Sequence, residues 1–394
     1  EFMKIGINAS FARKPNTGIG QVTVNFLRKL AEFPISKSQF PKDAEFVLYL
    51  EEDLPKKMKL PKNFSKRVFL PFWKRDDLIR KILWEKYYLP RMARKDHCDF
   101  FFSLYQCPTI MPKKIKHMML AHDIVPKLFP EYLNNSRKRK YWELTERGLR
   151  GADKLIAVSS RSEKDLISHL GIEAEKISVN HIDCDDIYKE KVPDAKKGKV
   201  LKKYRLKPGY IYTGGGLEVR KNAEGTIRAY KYLLETNKTL HFIKDFPKLV
   251  ISGKLLPQLA PLVTDVEKLV KELDLTPHVQ ILDFVPQADL PTIYQEAMMF
   301  IYPSHYEGFG IPVLEAMHSG TAVITAKKSS LPEVGGDSVL YCDPEDVRDI
   351  AMVMKNVMLN HDLRAELQKK GKERAQRFSW ERFTEKILNE IRNL

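Results

Sequence analysis

The stretch SHYEGFGIPVLEAMHSG, residues 304–320, decides the fold. It follows an apolar run, residues 298–302, that reads as a buried parallel strand. Glu307 and Glu315 stand eight positions apart, with the turn Gly308-Phe309-Gly310, then Ile311 and Pro312, between them. Gly308 and Gly310 let the backbone turn sharply and come close to a ligand. Pro312 suits the first turn of a helix. The order is strand, glycine turn, helix, with one carboxylate at the turn and one on the helix. Backbone N–H groups gather at such a helix start and make it an anion-binding end. The carboxylates beside it are acceptors for sugar hydroxyls. A ligand with both phosphate and sugar fits, and a nucleotide sugar has both. An ordinary strand-turn-helix crossover could carry two solvated glutamates at this spacing. The surrounding EGFG, the proline and LEAMHSGTAVI set this stretch apart.

Outward from that stretch, short apolar strands alternate with amphipathic helices. This is the pattern of an α/β chain whose parallel sheets are covered on both faces. In the first half the strands are expected at residues 4–8, 46–50, 100–103, 118–122 and 154–158. In the second half they are expected at 210–213, 249–252, 279–282, 299–302, 322–325 and 339–342. A polar, lysine-rich stretch, DCDDIYKEKVPDAKKGKVLKKYRL at residues 183–206, separates the halves and reads as a linker. The boundary falls near Ile182. Amphipathic helices are expected at 346–360 and 380–391. The length of 394 residues, 43% of them hydrophobic, suffices for two domains with separate cores. In an open doubly wound sheet, ligands bind beyond the carboxyl ends of the strands.

Three further motifs follow strands. YTGGGLEVRKNAEGTIRAY, residues 212–230, runs from a strand through Gly214, Gly215 and Gly216 to Arg220, Lys221 and a helix. Cations at a helix start are disfavoured by its dipole, so their presence asks for an anionic partner such as a diphosphate. MLAHDIVP, residues 119–126, ends a strand in His122-Asp123. Histidine can donate hydrogen bonds or move protons; the pair could also simply cap a loop. NTGIGQVTVNFLRKL, residues 16–30, places Gly18 and Gly20 in a loop that opens the first long helix, where the backbone can approach phosphate. Two glycines before a helix are also a common tight turn. The acidic run Asp183, Asp185 and Asp186 lies in the linker, away from any glycine turn, and reads as solvated.

The motif at 304–320 resembles the glycosyltransferase family 4 signature, in which two glutamates hold the sugar donor. The resemblance covers nearly the whole chain. It implies a GT-B fold: two Rossmann-like doubly wound domains facing a cleft, and a last helix, starting in FSWERF, that crosses back to the N-terminal domain. The domains implied are 3–182 for the acceptor, 183–375 for the nucleotide sugar, and the returning helix 376–394. Carried over, Glu307 contacts the transferred sugar and Glu315 the ribose. Lys221 matches the family's diphosphate lysine. The usual arginine position holds Gly216, and Arg220 stands in for it. His122 lies beside the donor sugar, and the loop of Gly18 and Gly20 faces the phosphates. Gly215, Lys254, Phe284, Val285, Gly308, Phe309, Gly310 and Ile311 complete the donor set, with base contacts near residues 283–285. The resemblance implies transfer of a hexose from a GDP- or UDP-sugar with retained configuration. No catalytic metal and no cofactor beyond the donor are expected.

Charge is uneven. Residues 1–182 hold 35 Lys and Arg against 21 Asp and Glu, a net of +14; the remainder holds 32 against 30, a net of +2. Residues 69–95 mix aromatics with Lys and Arg, and 137–140 read RKRK. Such a surface attracts anionic partners. An anionic membrane face and a glycan or lipid-pyrophosphate-linked acceptor are expected; the alternatives are a soluble sugar acceptor or a non-catalytic nucleotide-sugar-binding protein. Nucleic acid is disfavoured, since no recognised motif accompanies the charge. No signal peptide and no membrane-spanning run are read, and Cys98, Cys107, Cys184 and Cys342 lack metal-site spacing. The expected location is cytoplasmic, peripheral on the inner membrane face.

Overall fold

The computed structural model describes residues 3–34, 40–41, 43–55, 58–69, 77–240 and 245–394. The chain divides into two compact units, Glu1–Asp183 with Phe378–Leu394, and Cys184–Arg377. Each is built on one parallel sheet.

The first unit carries β1 (Lys4–Asn8), β2 (Glu45–Leu50), β3 (Phe64–Val68), β4 (Phe100–Ser103), β5 (Lys116–Ala121), β6 (Lys154–Ala157) and β7 (Ile177–Val179), in the order β3-β2-β1-β4-β5-β6-β7. The second carries β8 (Tyr210–Thr213), β9 (Leu249–Ser252), β10 (Val279–Leu282), β11 (Ala297–Tyr302), β12 (Ala322–Ala326) and β13 (Leu340–Cys342), in the order β10-β9-β8-β11-β12-β13. Chain order reverses direction across each sheet, between β1 and β4 and between β8 and β11. These are the switch points where a doubly wound sheet opens a crevice.

The apolar runs became strands because both sheet faces are covered. FFFS, YIYT and LVIS are buried along their full length. Aromatic rings fill the layer behind β8 and β11: Tyr212 lies 5.2 Å from Tyr294 and 5.5 Å from Phe300, ring centre to ring centre. The helix Trp380–Asn393 is capped by Ser379 and buries Trp380, Phe383, Ile387, Leu388 and Ile391, a stripe of helical period. Phe383 meets Phe26 at 5.6 Å, and Asn180 Nδ2 donates to the Phe383 carbonyl at 3.0 Å, all within the first unit.

Two sequence readings are corrected. Residues 183–206 are not a bare linker: they contain a 3-10 turn, Asp186–Tyr188, and an eleven-residue helix, Asp194–Tyr204. That helix buries only Val200, so its lysine-rich pattern carried almost no periodicity. The basic face at 69–95 is also smaller than read. Lys74 and Arg75 lie outside the described residues. Arg80 is 7% exposed and its Nε pairs with Glu51 at 3.0 Å. Lys81 lies over the rings of Phe11 and Tyr141. The outward face instead shows Ile79 (44% exposed), Leu83 (38%) and Tyr87 (57%) at four-residue spacing. Arg91, Arg94 and Lys95 are exposed farther along.

Candidate active site

In the second unit the two glycine turns meet. Gly214–Gly216 follow β8 and residues 303–310 follow β11, so both leave the sheet at its switch point. Gly215 (φ +93°) and Gly216 (φ +110°) occupy backbone regions closed to most residues. A Cβ on Gly215 would lie 2.8 Å from Pro312 Cγ, so the first turn packs directly on the helix Ile311–Ser319. Gly310 (φ +111°) precedes that helix, and a Cβ there would meet Leu331 at 2.9 Å. Buried Phe309 anchors the turn, and Ser330 Oγ donates to the carbonyls of Glu307 and Phe309, both at 2.8 Å.

Glu307 is buried among cations and hydroxyls. Tyr302 donates to its Oε1 at 2.7 Å and Ser304 at 2.9 Å, and Arg220 Nη1 stands 3.0 Å away. Burial alone would raise its pKa. Arg220, Lys221 and the two hydroxyls outweigh burial and hold it below the usual glutamate value, hence ionised. Both Nη atoms of Arg220 are engaged: Nη2 pairs with Glu218 at 2.6 Å, and Nη1 also donates to the Tyr306 carbonyl at 2.8 Å. These bonds let it orient Glu307. Lys221 closes the glycine turn from below, its Nζ donating to the Gly215 carbonyl. An ammonium has two more donors to offer.

Glu315 has the opposite environment. It is 5% exposed, and its Oε2 accepts from Tyr294 at 2.9 Å. Burial raises its pKa to about 7, against the hydrogen bond from Tyr294 that lowers it. One motif thus presents an ionised carboxylate at the turn and a carboxyl poised near neutrality on the helix.

Lys254 and Phe284 are exposed beyond β9 and β10, Phe284 by 49%, while Val285 is buried. In the first unit, His122 ends β5 and is buried; its Nε2 lies 2.9 Å from the Leu104 carbonyl. A carbonyl only accepts, so Nε2 holds the proton. Burial pushes the imidazole pKa down. In the neutral ring Nδ1 is then an acceptor. Gly18 starts the helix Gly18–Glu32 with open space at its Cβ position. At Gly20 a Cβ would strike the Lys14 carbonyl, so its own turn already requires glycine.

Sequence reasoning missed several partners. Ser329 (φ +56°) bonds Glu307 on both sides, Oγ donating to its carbonyl at 2.6 Å and accepting from its N–H at 3.2 Å. A non-glycine residue at positive φ is strained and marks a position under demand. It also missed a buried network beneath the first unit's switch point. There Glu85, on the π-helical segment Leu83–Tyr88, accepts from Tyr105 at 2.7 Å and from Tyr141 at 2.8 Å. Pro90, which lacks an N–H to continue the helical ladder just after this segment, was the available signal.

Comparison with known proteins now decides the family. A model described as "Glycosyl transferases group 1" matches residues 198–374, and one described as "Glycosyltransferase Family 4" matches residues 43–182. The chain is 31% identical to O-antigen chain mannosyltransferase B of Escherichia coli over 98% of its length and 99% of that protein's. It is a family 4 glycosyltransferase. Its fold is GT-B: it matches HepE from Anabaena, crystallised with UDP and glucose, at a TM-score of 0.72 with 18% identity, over 100% of each chain. It matches WaaG, a glycosyltransferase of lipopolysaccharide biosynthesis, at 0.72 with 16% identity, over 98% of this chain and 99% of that one.

Proposed function

We propose that this glycosyltransferase moves a mannosyl residue from a nucleotide sugar to a hydroxyl of a lipid-linked surface-polysaccharide precursor, retaining the anomeric configuration. The observation that carries the reading is the convergence at the β8–β11 switch point of a positive-φ glycine turn, Lys221 and the Arg220–Glu307 pair. The full-length similarity to an O-antigen mannosyltransferase supports the sugar and the polymer. HepE, which takes UDP and glucose on the same fold, supports a nucleotide donor.

The site's own groups suggest the chemistry. The diphosphate sits on the glycine turn, and Lys221 meets the negative charge that grows as the glycosidic bond breaks. Glu307, held ionised and aimed by Arg220, Tyr302 and Ser304, accepts from sugar hydroxyls. In the first unit, His122 Nδ1 is left as an acceptor for a substrate hydroxyl. The leaving phosphate takes the acceptor's proton as the new bond forms on the same face. Positioning and charge stabilisation do most of the work, with no protein nucleophile. Both carboxylates at the turn, Glu218 and Glu307, are already bound to Arg220, so no metal is assigned there. Activity in excess EDTA should stay near its untreated level. Complete loss, restored by magnesium or manganese, would contradict this assignment.

We place the protein at an anionic membrane face through the first unit. The supports are the net charge of +14 over residues 1–182, the outward Ile79, Leu83 and Tyr87, and the exposed Arg91, Arg94 and Lys95. No described helix is long and apolar enough to cross a membrane.

The donor is tested by thermal shift and slow hydrolysis with GDP-mannose, UDP-glucose and UDP-N-acetylglucosamine. GDP-mannose should stabilise the protein and release mannose first in the donor's anomeric form, seen by NMR. Absence of stabilisation and hydrolysis with every nucleotide sugar would overturn the reading, and first release of the opposite anomer would overturn retention.

A further inference from the structure

The second unit has another concave site, a cavity of about 310 Å³ at the far end of the helix Ile311–Ser319 from the glycine turn. Nine helical residues put the two ends about 13 Å apart. Three segments, with Lys197 and Gln295, wall the cavity. One is residues 189–191, fastened by Gln295: its amide donates to the Glu190 carbonyl at 2.8 Å and accepts from Val192 N at 3.1 Å. The second is the end of the Ile311–Ser319 helix, with His318 and Ser319. The third is Lys372 of the helix His361–Ala375, whose side chain lies over Gly320.

The charge inside does not balance. Lysines 189, 191, 197 and 372 line it against a single carboxylate, Glu190. Lys189 is paired with Asp186 at 2.8 Å and Lys197 with Glu296 at 2.7 Å. Lys191 and Lys372 have no carboxylate in ion-pairing range among the described residues. Ser319 contributes a buried hydroxyl with no hydrogen-bond partner among them. Unpaired ammonium groups and a buried, unmet hydroxyl together favour a ligand with several anionic oxygens. The volume suits a small phosphorylated molecule.

The walls also adjoin Glu315. Lys189 directly follows Tyr188, Gln295 directly follows Tyr294, and His318 lies three positions after Glu315. Tyr294 is the phenol that holds Glu315, and Tyr188 packs edge-on against Tyr294, ring centres 5.8 Å apart. An anion drawing the walls together would shift the groups that set that carboxyl.

We infer that this cavity is a second anion site, which binds a small phosphorylated ligand and is felt at the donor site through the Tyr188–Tyr294–Glu315 contacts. The coupling, though not the binding, rests on Glu315 acting in donor recognition.

Inorganic pyrophosphate is the probe. The intact Lys221→Ala protein, weakened at the donor site, is titrated by calorimetry, then again with Lys191→Ser and Lys372→Ser added. Both lysines are exposed, and an unchanged melting temperature checks the fold. Binding should be present in the first protein and about tenfold or more weaker in the second. No binding in the first, or equal binding in both, would overturn the site. For the coupling, donor KM is measured against pyrophosphate in the wild type and in Lys191→Ser/Lys372→Ser. Both proteins should show competition by pyrophosphate at the donor site, and the wild type a further several-fold response that the double variant lacks. An identical dependence in the two would overturn the coupling even if the cavity binds, and neither arm requires that the sugar be mannose.

Discussion

Glu307 and Glu315 come from one motif, yet their neighbours drive them apart. Glu307 is kept ionised by Arg220, Lys221 and two hydroxyls, while burial lifts Glu315 from 4.5 to about 7. Because the folded value of Glu315 is the higher one, its stabilising contribution is complete below about pH 4.5. It is lost as pH rises through 7, to the order of 3 kcal/mol in all. Glu315→Gln should therefore lose less stability between pH 5 and pH 8 than the wild type does, measured by denaturant unfolding at both values. Equal losses would show that the carboxyl is ionised throughout. Glu307, Glu315 and Lys221 were legible because glycine turns and a helix-start cation announce them. Tyr302, Ser304, Ser329 and Ser330 were not. Their hydroxyls reach Glu307 from strand and loop positions with no motif of their own, and only folding brings them within 3 Å or so of it. The bonds from Arg220 to Glu218 and Tyr306 were hidden for a similar reason: the sequence shows the guanidinium only as a cation.

At the scale of elements, the site depends on two turns touching. Gly215→Ala would add a Cβ 2.8 Å from Pro312 at a φ of +93°. The backbone term alone costs roughly 1–2 kcal/mol. The variant should unfold at lower denaturant, and its affinity for nucleoside diphosphate should fall by more than that of Gly18→Ala, where the added Cβ meets open space. Equal effects at the two glycines would refute the packed-turn account. The stretch Asp77–Lys95 makes its own prediction. Charge reversal at Arg91, Arg94 and Lys95 should weaken sedimentation with anionic vesicles, by about 1 kcal/mol per residue, and leave donor affinity intact. Salt should release the wild type, and equal binding to neutral vesicles would refute the electrostatic part. Strands such as Tyr210–Thr213 were legible because burial on both faces demands unbroken apolar runs. Phe64–Val68 is an exposed edge reading FSKRV, and Asp194–Tyr204 buries one residue, so neither had a pattern to find.

At the scale of the molecule, each unit repeats one plan: a parallel sheet whose chain order reverses beside its first strand. Alternating strands and helices foretold that plan, and the comparisons place it in family 4. The plan explains why the two motifs, some ninety positions apart, converge: β8 and β11 are neighbours only because order reverses there. Donor choice was not legible, because no base-reading side chain stands out in the sequence. The central claim is that this convergence holds a nucleoside diphosphate through Lys221 and the glycine turn. Calorimetric titration with GDP, comparing wild type with Lys221→Ala at matched ionic strength, tests it most directly. The account predicts saturable one-to-one binding at the donor site in the wild type, weakened about tenfold or more in the variant. Wild-type affinity in Lys221→Ala, or no binding of GDP or UDP to either protein, would contradict it.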